Sequence, residues 1–128
     1  ARRRRLATTS FDSIETLRIK YGPVVDTHIS ALKRAGASVL HGIDGRSLSS
    51  QLSLLSRGPF DTIAFHFPHC GTDAGLHASI AQNRELLQRF LFDAAKPEVL
   101  AASGEVHITL VHRYPYTAWL NGVTRSPS

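Results

Sequence analysis

The sequence predicts an α/β layered domain with a mainly parallel sheet. Two observations carry that prediction. Short runs rich in β-branched residues alternate with amphipathic helical segments, the order that crossover connections require. Glycine and proline punctuate the junctions between them. No internal repeat, low-complexity block or long linker interrupts the 128 residues. The expected organisation is therefore a basic segment over 1–5, one domain over 6–121, and a flexible tail over 122–128.

The elements follow in order. RLATTSF (5–11) reads as the first strand. DSIE follows, with Asp12 placed to cap a helix and Glu15 three positions later as in a capping box. Ile14, Leu17 and Tyr21 then share one helical face, and Gly22-Pro23 ends it. Val25, Ile29 and Leu32 mark a second helix that stops at Gly36. ASVLHGI (37–43) is the next strand, ending at Asp44. Leu48, Leu52 and Leu55 define a short helix before Gly58-Pro59. FDTIAFHF (60–67) is a third strand, followed by a loop over 68–79. Ile80, Leu87, Phe90, Leu91 and Ala94 mark a long helix, broken at Lys96-Pro97. EVHITLV (105–111) alternates as a strand before an aromatic, irregular tail.

Composition excludes several classes. No apolar run approaches the length of a membrane span. A single cysteine makes no internal disulfide, which points to a reducing compartment. Four of the 15 basic residues are Arg2 to Arg5, and the remaining basic residues exceed the 10 acidic ones by one. The net charge of +5 is thus local. Such a cluster suits phosphates, or is simply a solvated end. No two glycines are separated by one residue, and no glycine-rich loop leads into Lys-Ser or Lys-Thr. The usual phosphate-binding loops are absent from this chain.

In parallel sheets, ligands bind beyond the carboxyl ends of the strands. Those ends here carry Ser10, Phe11 and Asp12, then Gly42, Ile43 and Asp44, then His66, Phe67, Pro68 and His69. The sequence predicts that these groups share one edge. Asp12 has two readings, a helix cap or an acceptor for ribose hydroxyls. Asp44 is either a turn former or an acceptor for an amine or hydroxyl. His66, His69, Cys70 and His77 are enough to ligate zinc, but adjacent His69 and Cys70 are awkward ligands and no familiar second pair exists. No metal is expected. Cys70 with His69 as base is a poor nucleophile pair, because sequence neighbours rarely align for proton transfer. The remaining reading is a sharp turn at Pro68 that presents the Phe67 ring for stacking, with His66 and His69 at its edge. Against it stands a core Phe67 with two polar loop histidines.

Six stretches occur in a telling order: ATTSFDS (7–13), VLHGIDGRSL (39–48), FDTIAFHFPHCG (60–71), NRELLQRFLFDA (83–94), GEVHITL (104–110) and YPYTAWLN (114–121). Together they resemble the large-subunit ribosomal RNA uridine-N3 methyltransferase-like family. The resemblance implies a Rossmann-like class I methyltransferase fold, a three-layer sandwich, with S-adenosylmethionine as cofactor. It implies that Asp12, or Ser10 near it, lies by the cofactor ribose and Asp44 by the adenine amine. His66, Phe67, Pro68 and His69 would form the target-base turn. Tyr116 and Trp119 match a carboxyl-terminal signature. The implied partners are ribosomal RNA and pre-ribosomal proteins, with no membrane. The implied location is the nucleus or nucleolus, with mitochondrion or cytoplasm as alternatives.

Two departures stand out. The family domain opens with a strand and a glycine-rich loop reading like Gly-Glu-Gly-Asn/Asp-Phe-Ser, which holds the methionine end of the cofactor. This chain starts after both, so it is expected to lack a central strand and half the pocket. The family turn also reads Asn-Phe-Pro-His, where this chain has His66. An imidazole offers its donor and acceptor in a different geometry from an amide.

Overall fold

The computed structural model describes residues 5–66, 76–110 and 118–119. Its elements are β1 (Ala7–Thr9), α1 (Ile14–Tyr21), α2 (Val24–Arg34), β2 (Ser38–Leu40), a 3-10 turn (Leu48–Ser50), α3 (Leu52–Leu55), β3 (Phe60–His66), α4 (Leu76–Ala94) and β4 (Leu100–Thr109). The fold is mixed α/β with short parallel sheets. Among the described residues the strands form two hydrogen-bonded pairs, β1 with β2 and β3 with β4, rather than the continuous sheet the sequence predicts. The chain divides into two compact units, residues 1–44 and 45–128.

In the first unit, Ala7, Thr8 and Thr9 pair in parallel with Ser38, Val39 and Leu40. The connection between the strands is the helical hairpin α1–α2. Ser13 caps α1, its hydroxyl accepting from the Thr16 amide at 3.1 Å. Asp12 is therefore not the cap, which corrects the capping-box reading: the cap lies one residue later, at Ser13. Val25 and Ile43 are the buried apolar residues of this unit. A cavity of about 400 Å³ opens in it, lined by Leu17, Tyr21, Val25, Ile29, Leu32 and Val39 among others.

The second unit has the larger core. Helix α4 buries Leu86, Leu87, Phe90 and Ala94, and Leu48, Leu54, Val99 and Trp119 are also buried. Phe90 meets Phe65 of β3 edge to face, with ring centroids 4.9 Å apart. Along β3, Ile63 and Phe65 are half-buried while Thr62, Ala64 and His66 are exposed, and β4 repeats the pattern with Val106 and Ile108 against Glu105, His107 and Thr109. Parallel strands covered on both faces read as continuous apolar runs. The alternation here gives this pair one apolar and one polar face.

β4 begins at Leu100, five residues before the predicted strand. The register jumps from Phe60↔Leu100 to Thr62↔Glu105, so residues 101–104 bulge out of the ladder. Gly104 permits that bulge. A Cβ there would lie 2.5 Å from Leu100 Cδ1 and 3.0 Å from the Ala101 carbonyl. Helix α4 likewise begins before the predicted Ile80.

Candidate functional site

Polar groups of the first unit converge where β1 and β2 end. The Ser10 amide donates to the Leu40 carbonyl at 3.1 Å, completing the ladder. The chain leaving β2 then turns back onto the chain leaving β1: Ile43 N–H donates to Ser10 O at 2.9 Å, and Gly42 N–H to Asp12 O at 3.4 Å. Gly42 makes the turn possible with φ +68°, a conformation costly for residues with a side chain. Two strand exits are thereby stitched together, and Ser10, Asp12, His41 and Asp44 come to one edge.

Freed from capping, the Asp12 carboxylate takes Lys20 Nζ at 2.7 Å. The hydrogen bond and the charge of Asp12 raise the lysine's pKa. The carboxylate keeps about a quarter of its surface open (24%), so the pair sits at the rim of the edge, within reach of solvent. Ser10 Oγ donates to the Asp12 carbonyl at 2.9 Å and lies 3.1 Å from His41 Nδ1. Asp44 is half-buried beside the buried Ile43. Phe11, between Ser10 and Asp12, is 66% exposed. This edge offers carboxylate and imidazole acceptors, a hydroxyl and an open aromatic ring. Such a set suits a ligand rich in hydrogen-bond donors with a flat face.

His41 and Lys20 were not singled out by sequence reasoning. His41 stands directly after an apolar strand, the position that drew attention to Ser10, so strand-end placement could have found it. Nothing in the sequence links Lys20 to Asp12, eight positions away.

In the second unit, β3 delivers His66 to its carboxyl end. His66 is exposed, and its Nδ1 lies 3.1 Å from the hydroxyl of Thr109, its register partner on β4. Below it, Phe65 packs on Phe90. A Cβ on Gly45 would stand 3.0 Å from the Phe65 ring, so glycine lets the backbone approach there. Phe67, Pro68, His69 and Cys70, and Tyr116 of the tail, lie outside the described residues. Trp119 is 2% exposed, and beside it the Ala118 carbonyl accepts from Arg84 at 2.8 Å.

A third polar group belongs to the core. Asp93 is 8% exposed near the end of α4. It accepts from the Ser49 amide at 3.2 Å, the Ser49 hydroxyl at 3.0 Å and Lys96 Nζ at 2.9 Å. Burial opposes its charge, but the bonds from Lys96 and Ser49 outweigh that cost and its pKa is lowered. With every oxygen engaged inside the fold, this cluster ties the 3-10 turn to α4. Among the described residues, no three His, Cys, Asp or Glu side chains are grouped to hold a metal ion. No helix of the described residues is long and apolar enough to cross a membrane.

Comparison with known proteins identifies the chain's kin. Residues 1–125 match the family model described as rRNA (uridine-N3-)-methyltransferase BTM5-like. An uncharacterized protein of Arabidopsis thaliana is 39% identical over 118 residues, covering 89% of this chain and 54% of that protein. The mouse ferredoxin-fold anticodon-binding domain-containing protein 1 homolog is 44% identical over 88 residues, covering 69% of this chain and 13% of that protein. Heavy metal-associated isoprenylated plant protein 41 of Arabidopsis thaliana is 34% identical over 119 residues, covering 89% of this chain and 22% of that protein. The chain thus spans about half, or less, of the length of these curated relatives. No solved structure matches. With all but its last three residues inside the family match, the chain belongs to the BMT5-like family, described as rRNA (uridine-N3-)-methyltransferases.

Proposed function

We propose that this chain is part of an S-adenosylmethionine-dependent methyltransferase acting on the ring nitrogen N3 of a uridine in large-subunit ribosomal RNA. Family membership supports the reaction class. The observation that carries the cofactor reading is the joined exit of β1 and β2, where Asp12 is released from helix capping and gathered with Ser10, His41 and Asp44. These acceptors fit adenosine, whose ribose hydroxyls and exocyclic amine are donors. In this reading Asp12, with Ser10 near it, holds the ribose and Asp44 holds the adenine amine.

When bound, S-adenosylmethionine supplies the methyl group on a positively charged sulfur. The protein's own residues have two tasks. Phe67 stacks the unstacked uridine, so that its N3 is held for attack. His66 or His69 takes the N3 proton and passes it to solvent as the new N–C bond forms, a role suited to an imidazole near neutral pH. Pro68 sets the turn between them. The resident groups need no metal for this proton transfer. Arg2 to Arg5 suit the phosphates of the RNA.

The full domain is proposed as a Rossmann-like three-layer sandwich containing residues 6–121. Among the described residues both strand pairs are parallel, the pairing such a fold requires. Pre-ribosomal proteins as partners and a nucleolar location accompany this reading. A second reading, a non-catalytic RNA-binding relative, draws on His66 in place of the family asparagine.

The test is mass spectrometry of large-subunit ribosomal RNA after incubation with the protein and S-adenosylmethionine. N3-methyluridine is the expected product. His66→Ala or His69→Ala should lower the rate by about 100-fold or more for whichever histidine takes the proton. RNA binding without methylated uridine would favour the non-catalytic reading.

A further inference from the structure

The hydrogen bonds around Ser10 point to where a neutral His41 would carry its proton. A serine hydroxyl has one hydrogen, and a backbone carbonyl can only accept. Ser10 Oγ lies 2.9 Å from the Asp12 carbonyl, so the hydroxyl hydrogen is committed there. His41 Nδ1 lies 3.1 Å from the same oxygen. With the serine hydrogen engaged, that second contact is a hydrogen bond only if Nδ1–H is the donor. The neutral imidazole then carries its proton on Nδ1 and presents Nε2 as a lone-pair acceptor. No described residue hydrogen-bonds to Nε2. The two bonds form a directed chain, from His41 through Ser10 to the main chain of Asp12.

This chain does more than fill valences. It holds the ring of His41, the first residue after β2, against Ser10 at the exit of β1, where both residues line the cavity of this unit. The same exit carries Asp12. We infer that His41 is a ligand-binding residue whose Nε2 accepts a hydrogen bond from a ribose hydroxyl of the bound nucleoside, with Ser10 as the positioning residue that sets its tautomer. The inference rests on the adenosine reading of this edge. It assigns the sugar, rather than the base, to His41, because the imidazole is bonded to the Ser10–Asp12 segment.

The experiment is nitrogen-15 NMR of the histidine rings in the full chain, first alone and then with adenosine, 2′-deoxyadenosine and 3′-deoxyadenosine as probes. Free protein should show His41 carrying a proton on Nδ1, and in its neutral form on Nδ1 rather than Nε2. Ser10→Ala should release that tautomer into a mixture, and Ser10→Thr, which keeps a hydroxyl, should restore it. Adenosine should move the Nε2 resonance, and one of the two deoxy analogues should fail to. His41→Phe should weaken adenosine about tenfold, the equivalent of one hydrogen bond of about 1.4 kcal/mol. The same variant should leave unchanged the affinity for the analogue lacking the contacted hydroxyl. An Nε2–H tautomer in the free protein overturns the inference. So does adenosine that shifts the amides of Ser10 and Asp44 while leaving His41 Nε2 unmoved, although the adenosine reading of the edge would then stand. Adenosine that shifts none of these residues overturns that reading and the role of His41 with it.

Discussion

The two strand pairs share a topology and differ in almost everything else. β1 and β2 are three residues each, backed by a unit whose buried apolar residues are Val25 and Ile43. That unit leaves Leu6, Phe11, Ile19, Tyr21 and Val24 exposed, and Thr8 Oγ1 is buried with no hydrogen-bond partner among the described residues. β3 and β4 run seven and ten residues and rest on a core in which Leu87 and Ala94 are fully buried. The contrast teaches that cohesion and chemistry are divided. The second unit holds itself together by burying apolar area, which contributes roughly 25 cal/mol per Å². The first spends its short strands on bringing polar groups to an edge.

The largest effect should come from the better-packed pair. Phe90→Ala removes a ring that is 3% exposed and loses its edge-to-face contact with Phe65. Denaturant unfolding of the second unit should reveal a loss of about 3–5 kcal/mol. A loss below about 1 kcal/mol would mean that α4 is not packed as described. Amide exchange offers the same comparison without mutation: β3 and β4 should be protected more strongly than β1 and β2.

Asp93 gives a smaller effect with a pH signature. Asp93→Asn keeps the shape and weakens the bonds from Lys96 and Ser49, costing about 1–2 kcal/mol at neutral pH. The folded pKa is lowered, so the contribution is complete above the unfolded value, near pH 4. It is lost as the pH falls below that through the folded value. The stability gap between wild type and variant should therefore narrow as the pH falls below about 4, and a gap that widens in acid would contradict the assignment.

Smaller still is the cap of α1. Ser13→Ala should cost about 1 kcal/mol and fray the start of the helix, visible as lost amide protection at Thr16. Asp12→Ala should leave that protection intact. The reverse outcome would restore Asp12 to the capping role the sequence suggested.

The sequence revealed most where one periodicity ruled. β3 and α4 were visible in their apolar spacing, and the ends of β1 and β2 in the polar residues that follow their apolar runs. The sequence misled where two residues competed for one task. Asp12 and Ser13 both cap well, and only the backbone geometry decides between them. β4 started earlier than read because residues 101–104 bulge and break the alternation that identifies a strand. The Ser10–His41 contact spans 31 positions, and the Ser49–Asp93 contact spans 44. Local patterns carry no trace of such pairs, which arise only when strands and helices pack.

The central claim is that the joined exit of β1 and β2 receives the adenosine end of the cofactor. Its most direct test is a titration of the chain with S-adenosylmethionine followed by backbone-amide NMR. Saturable shifts should concentrate at residues 10–12 and 41–44, with affinity on the order of 1 mM. Asp44→Ala should weaken them. Shifts confined to other residues, or none at saturating cofactor, would contradict the account.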